Sequence, residues 1–140
     1  MSATPDANPV EARRWLRQAE QQLAVAHYNA AGRFWPTACF LYQQAAEIAL
    51  KSLLIRRGKR ARVHGLLHLV ERLVEDDQSA ERLSEPARQL DRFYVTTRYP
   101  DALPTGISDE YFDEHDAVSA KTAAEQILAT VRQELGKTEP

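Results

Sequence analysis

The sequence predicts an all-α protein, an antiparallel up-and-down bundle of four to five helices. Three observations carry that expectation. Apolar residues recur at helical spacing in three long stretches, no stretch alternates with period two, and Gly or Pro stands where helices should begin and end. The 140 residues, 44% hydrophobic and 27% charged, are enough to bury a core without a disulfide or structural metal. They suit one domain over 1–140, with its core at about 9–136 and flexible ends.

The first helix is announced by Asn8-Pro9, a cap residue before a proline at the first helical position. It is expected to run from Val10 to about Ala31, with Trp15, Leu16, Ala19, Leu23, Ala26 and Ala30 inward, and to stop at Gly32. The second should begin near Trp35-Pro36 and end at about Arg57-Gly58, burying Ala38, Leu41, Ala45, Ile48 and Ala49 with Phe34 and Phe40 nearby. Two long helices, each roughly 30–35 Å long, joined around Gly32 must fold back as a hairpin. A shorter helix over about Gly65–Asp76 presents Leu66, Leu69, Val70 and Leu73. Ser84 is expected to cap a fourth, with Leu90, Phe93 and Tyr94 inward and Pro100 ending it. After a loop broken by Pro104 and Gly106, the last helix should run from about Asp113 to Leu135 and stop at Gly136. Its inward set is Ala117, Ala120, Ala124, Ile127, Leu128 and Val131.

Composition removes several classes of function. The lone Cys39 excludes a disulfide framework or cysteine zinc site within one chain and reads as a small buried hydrophobe. A zinc site from His64, His68 and His115 lacks a fourth ligand, so neither metal nor cofactor is expected. Met1–Asn8 is short and polar, unlike a signal peptide, and no run approaches a membrane span, so the expected location is the cytoplasm. A formal net charge of -2 argues against a protein that coats nucleic acid uniformly.

Three local features bear on chemistry. Gln43, Glu47 and Lys51 are four residues apart and stack on one helix face, either as a solvated face with one weak salt bridge or as part of a site. Arg56, Arg57, Lys59, Arg60 and Arg62 form a dense basic run, which suits either a helix C-terminus or a phosphate-contacting patch. An acidic run over Asp109–Asp116 is a candidate to pair with it, within the chain or across a dimer. Arg98-Tyr99-Pro100-Asp101 closes a helix, where Arg98 either pairs with Asp101 or serves as an anion clamp. His64, beside Gly65, either caps the third helix or closes a buried hydrogen bond.

Taken in order, Trp15-Leu16 with Ala19, the stretch from Gln43 to Lys51, His64-Gly65-Leu66, Arg98-Tyr99-Pro100-Asp101 and the alanine-rich last helix resemble the HEPN family, the higher eukaryote and prokaryote nucleotide-binding domain. The resemblance covers Val10 to about Leu135. It implies a helical bundle, usually a homodimer, that binds nucleotide or RNA and partners a minimal nucleotidyltransferase in toxin–antitoxin or defence pairs. The residues it assigns to the ligand are Gln43, Glu47, Lys51, His64, Arg98, Tyr99 and Asp101. One branch of the family cleaves RNA without metal, using Arg followed by His after four to six residues. Arg57 with His64, and Arg62 with His68, fit that spacing, but about one such match is expected by chance from the Arg content. After Arg98 the next histidine is His115, which does not fit. The favoured reading is a non-catalytic binding module. The alternatives are a metal-independent ribonuclease in which Arg98 and His64 meet in space, and a purely structural dimerisation domain.

Overall fold

The computed structural model describes residues 8–60 and 62–137. Five α-helices follow one another: α1 (Pro9–Ala31), α2 (Trp35–Arg56), α3 (Leu66–Val74), α4 (Ser84–Asp91) and α5 (Glu114–Lys137). No strand occurs among the described residues. The ends expected to be flexible fall largely outside them.

The Asn8 side chain accepts a hydrogen bond from the Glu11 N–H at 2.9 Å, and Pro9 follows it, so α1 starts where a cap and a fixed φ coincide. Ala12, Leu16, Ala19, Leu23 and Ala26 are buried at alternating spacings of four and three. Helix α1 stops at Gly32 as expected, but its turn is not built on a left-handed glycine. Gly32 is right-handed (φ −80°), and the left-handed residue is Arg33 (φ 67°). An added Cβ at Gly32 would lie 3.1 Å from the Phe34 ring, which is exposed and has room to give way.

Helix α2 is the centre of the fold, packed by α1, α3 and α5. Its buried residues therefore go most of the way round, through Ala38, Cys39, Tyr42, Gln43, Ala45, Ala46, Ala49, Leu50, Leu53 and Leu54. The expected inward residues Leu41 and Ile48 are only half-buried, and Phe34 is exposed. Alanines on several sides let neighbouring helices approach closely, which a search for one apolar stripe does not register. Helix α2 ends as expected, with Gly58 left-handed (φ 74°) and hydrogen bonds from Lys59 N–H to Leu54 C=O and Gly58 N–H to Ile55 C=O.

In α3 the expected Leu66, Leu69, Val70 and Leu73 are buried. Its N-terminus is capped from a distance: the Asp91 carboxylate accepts from the Leu66 and Leu67 N–H groups at 2.8 and 3.1 Å. His64 is therefore not the cap. A 3-10 turn at Gln78–Leu83, absent from the sequence reading, leads into α4, so Ser84 is the first helical residue and Leu83 holds the cap position. Helix α4 stops at Asp91, well before Pro100, and continues as irregular turns to Arg98. The Val95-Thr96-Thr97 run accounts for this: β-branched side chains disfavour helix, and the Thr96 hydroxyl bonds back to the Arg92 carbonyl at 2.7 Å while Thr97 bonds to Phe93. Leu90 and Phe93 are buried and Tyr94 half-buried. Helix α5 opens with reciprocal bonds between Asp113 and Asp116 (3.0 and 3.1 Å) and runs through Gly136 rather than stopping there. Among the described residues no helix is long and apolar enough to cross a membrane.

Candidate functional site

Gln43 and Glu47 are not on a solvated face. Gln43 is fully buried and Glu47 is 7% exposed, because α2 is covered on that side too. Lys51 Nζ lies 2.8 Å from Glu47 Oε2, His64 Nδ1 lies 3.0 Å from the same oxygen, and Lys51 Nζ is 3.2 Å from His64 Nδ1. The stacked face of α2 and the segment before α3 thus meet in one acid–base cluster. The role of Nδ1 depends on the tautomer of the ring. Without a hydrogen on it, Nδ1 accepts from the Lys51 ammonium; carrying the hydrogen, it donates to Glu47. Gln44, not among the expected site residues, donates to Gln43 Oε1 (2.8 Å) and Glu47 Oε1 (3.4 Å). The buried Gln43 Nε2 has no hydrogen-bond partner among the described residues.

The basic run divides. Arg57 reaches the Leu73 carbonyl and Asp77 (3.3 Å), and Lys59 reaches the Arg72 carbonyl (2.8 Å), Asp76 (2.8 Å) and Glu75 (3.2 Å). Both cations therefore satisfy the C-terminus of α3, and their carboxylate partners lie at 75–77 rather than in the acidic run at 109–116. The Ser79 hydroxyl, then the Ser79 N–H and Arg57, hold the Asp77 carboxyl below its ordinary range against partial desolvation. Arg60 and Arg62 remain on the surface. With Lys51, Lys59, Glu11, Trp15 and Ile55 they line a cleft of about 420 Å³ between the start of α1 and the end of α2. Arg56 is not in its lining. Trp15, read from periodicity as core, is half-buried on the cleft wall, with its indole N–H on Glu11 at 3.2 Å.

Arg98 sits elsewhere on the same side of α2. Its guanidinium carbon is 4.6, 4.7 and 5.0 Å from the ring centres of Phe40, Tyr94 and Tyr99, and its Nε donates to the Tyr94 carbonyl at 3.0 Å. Aromatic rings hold Arg98 in place, without an ion pair to Asp101 among the described residues. Phe40, Gln44, Glu47 and Lys51 fall on one line of α2 at spacings of four, three and four. Arg98 at Phe40 and His64 at Glu47 are then about 10 Å apart along the helix axis. The two candidates for a catalytic pair do not converge on one atom within a chain.

A second group lies across the bundle. The buried Tyr42 hydroxyl is 2.7 Å from His27 Nδ1, and His27 Nε2 is 3.7 Å from Glu125, at a cleft of about 350 Å³ shared with Trp35 and Lys121. Burial, reinforced by Glu125, pushes the Tyr42 hydroxyl up to about 12, which suits a hydrogen-bond donor rather than a nucleophile. Burial, and then Asp116, pushes the Cys39 thiol to about 12, so it remains an inert core thiol. Among the described residues no three His, Cys, Asp or Glu side chains gather as metal ligands; His68 pairs instead with Glu71 at 3.5 Å.

The fold and site define an all-helical bundle with an acid–base cluster beside a cationic cleft. The HEPN domain family matches over residues 12–134, and the chain belongs to that family. Among solved structures it is similar to a protein from Thermus thermophilus at 42% identity and TM-score 0.83, covering 87% of this chain and 96% of that one. An archaeal HEPN homologue shares 35% identity at TM-score 0.75, with 89% and 97% covered. A HEPN domain protein from Thermotoga maritima shares 27% at TM-score 0.70, with 88% and 98% covered. Human Sacsin is 36% identical over 104 residues, which is 69% of this chain and 2% of Sacsin, so the chain spans a small fraction of that relative.

Proposed function

We propose that this HEPN domain is a binding module for the phosphate groups of a nucleotide or RNA, with Lys51, Lys59, Arg60 and Arg62 as its cationic wall. The observation that carries the reading is the cleft itself. Four cations and the Trp15 indole line it in a chain whose net charge is -2, and two of the cations, Arg60 and Arg62, have no carboxylate partner among the described residues. Trp15 supplies a ring face for a base, and the cluster behind Lys51 fixes where its ammonium stands. Self-pairing fits the same chain: Leu41, Ile48 and Ile55, half-buried at seven-residue spacing, form an apolar line beside the Phe40–Lys51 line. Family membership supports a minimal nucleotidyltransferase as the protein partner.

The test is titration of nucleotides and labelled RNA in EDTA, followed by the quenching of tryptophan emission and by anisotropy. Lys51→Ala and the double change Arg60→Ala/Arg62→Ala should each weaken binding about tenfold, the loss expected for a charged hydrogen bond to phosphate. Unchanged affinity in both would overturn the reading. RNA cleavage in EDTA that disappears in both Arg98→Ala and His64→Ala would replace it with a metal-independent ribonuclease.

A further inference from the structure

Resting on the phosphate-binding reading of the cleft, we propose that Glu11 is its specificity-determining residue. It holds the Trp15 indole as a ring platform and turns the phosphate of the ligand away from α1. The cleft then takes a phosphate ester that carries a flat ring in preference to inorganic phosphate.

Glu11 is the one acidic residue lining the cleft among the described residues, against Lys51, Lys59, Arg60 and Arg62. A site for a bare anion gains nothing from a carboxylate, because like charges oppose each other across a few ångströms. Both of its oxygens are engaged. Oε2 accepts from the Trp15 indole N–H at 3.2 Å, and Oε1 accepts from Arg14 Nη1 at 3.3 Å. Its backbone is held too, since the Glu11 N–H donates to the Asn8 side chain that caps α1. Trp15 needs such a tether. With Glu11, Arg14, Gln18 and Ile48 it also lines an adjoining cleft of about 430 Å³, so the half-buried ring has open space beyond the first cleft. A ring so placed is not fixed by packing on every side, and the hydrogen bond at its Nε1 edge sets where it stands.

The same carboxylate gives the site a direction. All four cations come from α2 and the residues after it, whereas Glu11 and Trp15 both come from α1. A phosphate on the α2 side meets cations, and one on the α1 side meets Glu11. The ring of an ester is thereby left to the indole, on which it stacks.

Calorimetric titration of the full chain with inorganic phosphate and with uridine monophosphate at about pH 8, where both are largely dianions, tests this. Wild type should prefer the ring-bearing ester by about tenfold. Glu11→Leu should tighten inorganic phosphate about twofold and weaken the ester about fivefold, which abolishes the preference. Glu11→Gln keeps an acceptor for the indole, so the ester should hold at least its wild-type affinity while phosphate gains about twofold. The nitrogen-15 signal of the Trp15 indole N–H should move in Glu11→Leu and stay in Glu11→Gln, which a mere change in stability would not produce. A wild-type preference in Glu11→Leu, with phosphate affinity still lost in Lys51→Ala, would overturn the role of Glu11 and leave the cleft standing. Binding insensitive to Glu11→Leu, Lys51→Ala and Arg60→Ala/Arg62→Ala would overturn both.

Discussion

Two regions on one line of α2 carry charge in opposite ways. At Glu47 and Lys51 the side chains are 9% and 13% exposed and matched in sign within 2.8 Å, with His64 covering the pair. Further along the same line, Arg98 is exposed and held by aromatic rings. Burial makes the difference. A desolvated charge must be compensated inside the protein, so the cluster is committed to stability as well as to any ligand. A cation stacked on rings at the surface retains its hydration and its outer donors, so it is available at small structural cost. Residues of the same chemical type, assigned to one site by sequence, therefore have different energetic weight.

The largest expected effect breaks or upholds that contrast directly. Glu47→Ala leaves the Lys51 ammonium largely out of solvent without its carboxylate, and should lower unfolding free energy by about 3 kcal/mol. Arg98→Ala should lower it by less than about 1 kcal/mol. Urea unfolding of the two variants checks both, and equal losses would dissolve the distinction. Next in size is Asp91→Ala, which strips the cap from Leu66 and Leu67 and frees the segment that carries His64. A loss of about 1–2 kcal/mol is expected, with weaker protection of the first α3 amides in hydrogen exchange.

A smaller effect sharpens the account of the cluster. His64 Nδ1 lies 3.0 Å from Glu47 and 3.2 Å from Lys51, so removing the ring uncovers the pair and takes away one hydrogen bond. His64→Ala should therefore lower unfolding free energy by about 0.5–1 kcal/mol, well below the Glu47→Ala loss. Urea unfolding of this variant beside Glu47→Ala decides it. The smallest effect belongs to Asp77. Its folded-state pKa is depressed, so its stabilising contribution is present above the ordinary carboxylate range and disappears as pH falls through the depressed value. Asp77→Asn should cost about 0.5 kcal/mol near neutrality, and the gap from wild type should close on the acid side.

Much of the fold was legible from local rules. The Asn8-Pro9 start, the Gly58 stop, the apolar set of α3 and the inward alanines of α5 all follow from capping, backbone freedom or periodicity within a few residues. Errors fell where local rules compete. Thr96 and Thr97 bond back to their own chain and end α4 early, and Gly136 is tolerated inside α5. Helix α1 stops at Gly32 as expected, but the left-handed turn falls on Arg33. Leu41 and Ile48 were misplaced because α2 has neighbours on several sides, so its apolar residues trace no single stripe.

The site shows the same boundary. Sequence by itself determined the helical class, the face shared by Gln43, Glu47 and Lys51, and the residues through which the HEPN family was recognised. Those depend on spacing along one helix or on motifs read in chain order. Tertiary structure alone brought His64 to Glu47 across 17 residues, put Arg57 and Lys59 on the end of α3, set Trp15 on a cleft wall and brought the Phe40 ring of α2 to Arg98. Each is a contact between segments distant in sequence, chosen by which helices pack together, and no local period encodes that choice.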